Sequence, residues 1–240
     1  MQENGLKISP RVIRFGFWSA LLIAVTFIVF TLAFVGIATN PPLFRWTTLA
    51  DYVDYVNNNN QFFQSLARLM MLIFASLYVV LLNSIYEYAT GDRKFLARVS
   101  ICFGLAFAIL VSVNYFVQLT AVRLNIVQGT TEGLEHFLQA NPISVMSSIN
   151  LLGWTLFLGL SSLCAAPIFS SGRLERVISI AFALNGIVCL VGGIGYAIQS
   201  EGLVFLTLNF GLGGAILIAS IALCVWFRRM GKQVAASTPE

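Results

Sequence analysis

The chain has 240 residues, of which 58% are hydrophobic and only 10% are charged. Soluble globular domains carry about a quarter charged residues, so this composition excludes that class and indicates a membrane protein. The net charge of +4 is spread over the ends of apolar segments, so no nucleic-acid partner is expected. One histidine and four cysteines without CxxC spacing exclude a multi-histidine metal centre, and no cofactor or metal is predicted.

Six apolar segments follow one another, and each is long enough to cross a hydrocarbon core of about 30 Å as a helix. Unbroken apolar runs predict helices, because the strands of a membrane barrel would alternate between apolar and polar residues. The predicted fold is all-α, a polytopic transmembrane bundle of six helices that forms a single domain over residues 1–240. The segments are 13–38, 62–88, 96–124, 143–169, 175–199 and 203–227.

Two short amphipathic helices are predicted on the outer side, between spans. Thr48 followed three residues later by Asp51 is a capping-box-like helix start, and residues 47–56 place their apolar side chains on one face. In residues 125–141, Thr131 is a candidate N-cap. We expect both helices to lie on the outer membrane surface or to cap the bundle.

Basic residues predict the orientation of the bundle. Eleven of the fourteen lysines and arginines flank the same ends of the six segments, and only Arg45, Arg68 and Arg123 lie on or near the other side. By the positive-inside rule, the N and C termini are both cytoplasmic, and a bacterial inner (plasma) membrane is the expected location. The eleven are Lys7, Arg11, Arg14, Arg93, Lys94, Arg98, Arg173, Arg176, Arg228, Arg229 and Lys232.

Polar side chains recur at helical spacing on one face of five segments, and in hydrocarbon such groups normally face the bundle interior or a wet cavity. In the second segment this stripe includes Ser76, Asn83 and Glu87. Eight further residues are predicted to lie in the outer half and to line a cavity that binds a small polar, anionic or lipid-like ligand for transport or sensing. They are Arg68, Asn114, Gln118, Asn150, Trp154, Tyr196, Gln199 and Asn209.

Arg68 is the most informative of these residues, because a charge at that depth needs an acid, carbonyls, water or an anionic ligand. Two structural alternatives stay open. The side chain can extend to the outer surface or pair with a loop carboxylate. The polar stripes can also serve only as hydrogen bonds between membrane helices. The candidate carboxylates are Asp51, Asp54, Glu132 and Glu135.

No catalytic residue is predicted. Glu132, Glu135 and His136 are the only cluster that resembles metal ligands, and nothing nearby completes a coordination shell. The chain has no Ser-x-x-Lys, GxSxG or P-loop motif, so an enzyme is disfavoured. The alternative to ligand binding is a non-catalytic membrane scaffold, or a subunit of a larger complex or homo-oligomer, with membrane lipids as partners.

The loop from Leu49-Ala50-Asp51-Tyr52 to Asn60 and the turn Arg173-Leu174-Glu175-Arg176 add a likeness of layout. In these features the chain resembles uncharacterised six-helix bacterial inner-membrane proteins that are grouped as domains of unknown function. The resemblance covers most of the chain in architecture. It implies no activity and no role for any residue.

Overall fold

The computed structural model describes residues 8–40 and 42–237. This part of the chain folds into seven helices. They are α1 (Pro10–Thr39), α2 (Leu49–Asn58), α3 (Phe62–Tyr88), α4 (Asp92–Gln128), α5 (Val145–Ile168), α6 (Arg173–Ala197) and α7 (Glu201–Ala236).

All of these helices except α2 are long and apolar enough to cross a membrane. The predicted number of spans is therefore confirmed, and the molecule is compatible with a multi-pass integral membrane protein. Helix α7 continues to Ala236, past the predicted end at residue 227. The reason is that hydropathy indicates only where the chain leaves the hydrocarbon. Arg228 and most of the residues after it have high helix propensity, so the helix continues into water.

Local signals set the helix starts. Ser9 accepts a hydrogen bond from the Arg11 amide (3.3 Å), and Pro10 occupies the first helical position of α1. Thr48 caps α2, because its hydroxyl oxygen accepts from the Asp51 amide at 3.2 Å. Helix α2 thus begins at the residue that the sequence indicated.

The second predicted outer helix is different. Residues 125–141 contain only the last turns of α4 and a single 3-10 turn, Leu134–His136. Gly129 and Gly133 have φ angles of 73° and 72°, in the left-handed region that ends a right-handed helix. Thr131 contributes to this 3-10 turn through its backbone carbonyl, which accepts a hydrogen bond from the Leu134 amide. Its side chain does not act as an N-cap.

The six long helices pack as a closed ring. In order around the ring they are α1, α3, α4, α5, α6 and α7, and α7 contacts α1. Short connections make neighbours in the chain run in opposite directions. We call the end where α1 begins and α7 ends the terminal end, and the end that carries α2 and residues 129–144 the loop end.

Three long helices contain π-helical segments, and all three lie toward the loop end. They are Gln118–Val122 in α4, Gly153–Phe157 in α5 and Leu206–Leu212 in α7. Single π turns inside α-helices are rare and are frequent at functional sites. Three of the predicted site residues, Gln118, Trp154 and Asn209, lie within these segments.

Candidate functional site

A tyrosine that sequence analysis missed forms the centre of a polar cluster in the loop half. Tyr115 of α4 is buried, and the side chains of Gln139 in the loop and of Asn150 and Trp154 in α5 lie near its hydroxyl. The charge of Arg68, from α3, acts on the same hydroxyl. We call Arg68, Tyr115, Gln139, Asn150 and Trp154 the loop-half cluster. Three helices and a loop therefore supply it.

Aromatic rings close the cluster on the side of the bundle centre. The Trp154 ring stacks on Phe74 with centroids 5.7 Å apart and meets the Phe107 ring edge-on at 5.0 Å. Both phenylalanines are fully buried. The indole is thus fixed by apolar packing on one side while its N–H is directed to the polar group, an arrangement that suits tryptophan.

Several polar groups in this half of the bundle have no partner among the described residues. Asn150 Oδ1 is buried without a hydrogen bond. Asn114 is 0% exposed, and neither its Oδ1 nor its Nδ2 forms a hydrogen bond. Arg68 is partly buried and forms no hydrogen bond or ion pair with any residue in 8–40 or 42–237. Buried polar atoms are paired in the large majority of cases, so each of these groups calls for an explanation.

Three of the four loop carboxylates predicted as partners of Arg68 have other contacts, and Glu132 has no hydrogen bond or ion pair among the described residues. Asp51 accepts hydrogen bonds from Thr47 and Thr48, both at 2.7 Å, and Asp54 accepts one from Asn58 at 2.8 Å. Glu135 lies 3.9 Å from Nε2 of the neighbouring His136. No group of three His, Cys, Asp or Glu side chains in the described ranges could hold a metal ion.

Other predicted site residues hold the loop end together. Gln118 is buried, donates to the Phe137 carbonyl at 2.6 Å and accepts from the Gln139 amide at 3.1 Å. Tyr196 donates to the Pro142 carbonyl at 2.7 Å. Gln199 is exposed at the end of α6, with φ of 58°. The side chain of Asn209 lies outside what the structure describes.

The polar stripe on α3 does not face the interior as a whole. Ser76, Asn83 and Glu87 are exposed, so the prediction that they line the bundle interior is wrong. The Ser76 hydroxyl and the Asn83 amide donate to carbonyls four residues earlier in their own helix, at 3.4 and 2.8 Å. Such bonds remove the need for a partner on another helix.

A cavity of about 240 Å³ opens at the loop end, among α1, α2 and the start of α3. Its lining includes Tyr55, Phe63 and Gln64. The Gln64 amide donates to the Tyr55 hydroxyl at 3.1 Å, and its Oε1 is buried without a partner. Gln64 precedes Arg68 by four residues, so the two residues are about one helical turn apart on α3, and Arg68 itself does not line the cavity.

A second polar group crosses the middle of the bundle, and we call it the hydroxyl network. The Tyr78 hydroxyl lies 3.1 Å from Ser161 Oγ, and Ser100 and Ser161 each donate to the other's backbone carbonyl at 2.8 and 2.9 Å. The Asn185 amide donates to Ser162 Oγ at 2.8 Å. All five side chains are buried, and together they tie α3, α4, α5 and α6.

No protein-family model matches the chain, and neither a curated protein nor a solved structure is significantly similar to it. Its function is therefore inferred from the chemistry of its own side chains. The loop-half cluster is the candidate site, since it combines a charge with a buried amide oxygen that has no partner among the described residues, although none of its residues lines the loop-end cavity.

Proposed function

We propose that the loop half of this membrane protein binds a small polar or anionic ligand, or a lipid headgroup, in a transport or sensing role. The observation that carries the proposal is Arg68, a partly buried guanidinium without an acidic partner among residues 8–40 and 42–237. Within a membrane-spanning helix, a charge without an internal partner points to an ion or substrate pathway. An anion beside Arg68 would complete the site.

Size and hydrogen-bonding capacity limit the ligand. The loop-end cavity of about 240 Å³ is smaller than the roughly 300–1,000 Å³ of pockets that hold drug-sized molecules. Asn114 offers both donors and an acceptor, and Asn150 offers an acceptor. A compact oxyanion, a small zwitterion or a headgroup fits these features better than a large apolar molecule.

The orientation belongs to the same proposal. With the eleven basic residues in the cytoplasm of a bacterium, the loop-end cavity opens to the outer side of the inner membrane. Reporter fusions at the C terminus test this. We expect a fluorescent protein to be active there and alkaline phosphatase to be inactive, and the reverse result would turn the cavity toward the cytoplasm.

A non-catalytic scaffold or complex subunit is the second candidate function. One observation favours it: Gln118 and Tyr196, predicted as ligand-binding residues, use their polar atoms to hold the loop at 137–142. Under this alternative the remaining polar groups would also serve the packing of helices, and no small molecule would stabilise the protein.

Arg68→Ala tests the ligand proposal. The protein is purified in neutral detergent, and its melting temperature is followed with phosphate, sulfate, small carboxylates and short-chain lipids. A hydrogen bond to a charged group contributes about 1.5–3 kcal/mol, so we expect at least a roughly tenfold loss of affinity for the stabilising anion. Arg68→Lys keeps the charge and should retain part of the binding.

Arg123→Ala is the matched control, because Arg123 is an exposed arginine near the same end and its Nε donates to the Leu119 carbonyl at 3.3 Å. Its ligand-induced shifts should equal those of wild type. Equal shifts in wild type and Arg68→Ala would defeat the proposal. Mass spectrometry of the molecules that co-purify with each variant identifies the ligand without assuming its class.

A further inference from the structure

A separate cleft of about 690 Å³ lies at the terminal end, between the start of α6 and the last turns of α7. It is remote from the loop-half cluster, at the opposite end of the spanning helices. We call it the terminal cleft. The residues of its lining that carry the argument are Tyr88, Arg173, Glu175, Trp226 and Arg229.

Glu175 builds one wall of the terminal cleft. Its Oε1 accepts from the Tyr88 hydroxyl at 2.9 Å and from Trp226 Nε1 at 3.2 Å. Its Oε2 accepts from the backbone amides of Ser170 and Ser171 at 3.0 and 2.7 Å. Both carboxylate oxygens are thereby occupied by protein donors, and the acid fixes two aromatic side chains whose ring centroids are 4.6 Å apart.

The two arginines of the cleft are exposed, and neither forms a hydrogen bond or ion pair with another described residue. Glu175 forms no hydrogen bond or ion pair with either guanidinium within the described residues, because both of its oxygens accept from other donors. The cleft thus contains two guanidinium groups and one carboxylate, and its net charge is positive. It is therefore suited to an anion.

Each arginine stands at the end of an exposed apolar stripe. From Arg173, the stripe follows α6 at spacings of four, seven and eleven residues, and from Arg229 it runs back along α7 at spacings of four, eight and eleven residues. Positions at these spacings share one helix face. The stripes consist of Val177, Ile180 and Leu184 on α6, and of Val225, Ile221 and Ile218 on α7.

We propose that the terminal cleft binds the headgroup phosphate of an anionic phospholipid, whose acyl chains lie along these two stripes. Guanidinium groups bind phosphate through paired N–H donors. Basic pockets between spanning helices are known features of anionic-lipid recognition, and Trp and Tyr are enriched at the depth of the headgroups. The apolar stripes favour a lipid over a free phosphate, because only a lipid has acyl chains that could pack against them.

The test compares two double variants that remove equal charge from the same two helices. Arg173→Gln/Arg229→Gln empties the terminal cleft of cations, whereas Arg176→Gln/Arg228→Gln removes two exposed arginines that do not line it. Both are made in the Arg68→Ala background, so that binding in the loop half does not contribute. Native mass spectrometry in detergent then measures binding of phosphatidylglycerol and of phosphatidylcholine with identical acyl chains.

We expect the Arg176/Arg228 pair to keep a preference for phosphatidylglycerol and the Arg173/Arg229 pair to lose about tenfold in affinity for it. Melting without lipid should be the same for both pairs, which shows that both fold. An equal loss in the two pairs would mean diffuse electrostatic attraction and would overturn the proposal. Displacement of phosphatidylglycerol by inorganic phosphate at the same concentration would also overturn the proposal, because a free anion would then be the ligand.

Discussion

The loop-half cluster and the hydroxyl network are both polar groups inside an apolar bundle, and they differ in how far their hydrogen bonds are completed. In the network, Tyr78, Ser100 and Ser161 all meet partners on neighbouring helices. In the cluster, Arg68 and Asn150 keep polar atoms without a protein partner. Polar content alone therefore does not separate a packing motif from a binding site; the pairing of each atom does.

The chemistry of the side chains explains this difference. A hydroxyl both donates and accepts, so three or four of them can complete one another's bonds where helices approach closely. A guanidinium has five donors and no acceptor, and neutral neighbours cannot balance its charge. In the network, Asn185 Oδ1 is the one buried side-chain atom without a partner among the described residues, whereas the cluster also holds a charge without a described counter-ion.

The largest effect is expected from Gly104→Val, which breaks the packing of the network. A Cβ atom at Gly104 would lie 2.3 Å from Leu82 Cδ1 and 3.2 Å from Ser161 Oγ, so the buried Leu82 side chain must repack and the added methyl groups crowd Ser161. Overpacking of this kind lowers stability by about 1–3 kcal/mol. The measurement is the thermal melting temperature in detergent.

Gly214→Val is the control for that substitution, because a Cβ at this exposed position of α7 meets no atom within 4 Å. It should melt within error of wild type. A Gly104→Val protein as stable as the control would mean that the helices around the network separate easily, and the network could not then be regarded as packing.

A smaller effect, of opposite sign in the two regions, is expected when a buried asparagine is replaced by leucine. Asn114→Leu should raise stability by about 1 kcal/mol, since it removes two unpaired amide atoms from the interior. Asn185→Leu should lower it by less, since the loss of the 2.8 Å bond to Ser162 is partly offset by removal of the unpaired Asn185 Oδ1.

The same melting assay compares the two leucine variants, and Asn125→Leu is a control because Asn125 is only partly buried and its side chain bonds within its own helix. Destabilisation by Asn114→Leu would contradict the proposed difference in hydrogen bonding between the loop half and the hydroxyl network. It would show that the Asn114 amide is already paired in the purified protein, so that the loop-half cluster resembles the network.

The spans and the start of α2 could be predicted because they depend on local signals: apolar runs, and Thr48 placed before an apolar face. Arg68, Asn150 and Trp154 were grouped by depth, and the structure brings them together around Tyr115; that they bind a ligand stays a prediction. Tyr115 escaped notice because a tyrosine in an apolar run has the same pattern as any packed aromatic residue.

Two physical reasons account for the other differences. The stripe on α3, a regular helix, does not face the interior because Ser76 and Asn83 bond to carbonyls of their own helix and need no partner on another one. Glu175 and Gln139 depend on contacts with residues far along the chain, such as Trp226 and Tyr115. No local pattern contains that information.

The smallest expected effect concerns Asp51, which lies at the edge of the loop half and could have been the partner of Arg68. Hydrogen bonds from Thr47 and then Thr48 lower the pKa of its carboxyl. A carboxyl with a lowered pKa stabilises the folded state above its unfolded value of about 3.9, and this contribution is lost as the pH falls through the lower folded value. Thr47→Val should therefore raise the midpoint of the Asp51 carboxyl titration, followed by its carbon chemical shift in NMR spectra of the protein in detergent micelles.

Arg68→Ala should leave the midpoint of the same titration unchanged, because the threonines hold Asp51 and the guanidinium does not. Asp54→Asn serves as a control for the general field of nearby loop charges. A midpoint that rises in Arg68→Ala by more than in that control would show that Arg68 and Asp51 attract each other as a pair. Arg68 would then be a satisfied group like those of the hydroxyl network, and the main reason to place an anion beside it would be gone.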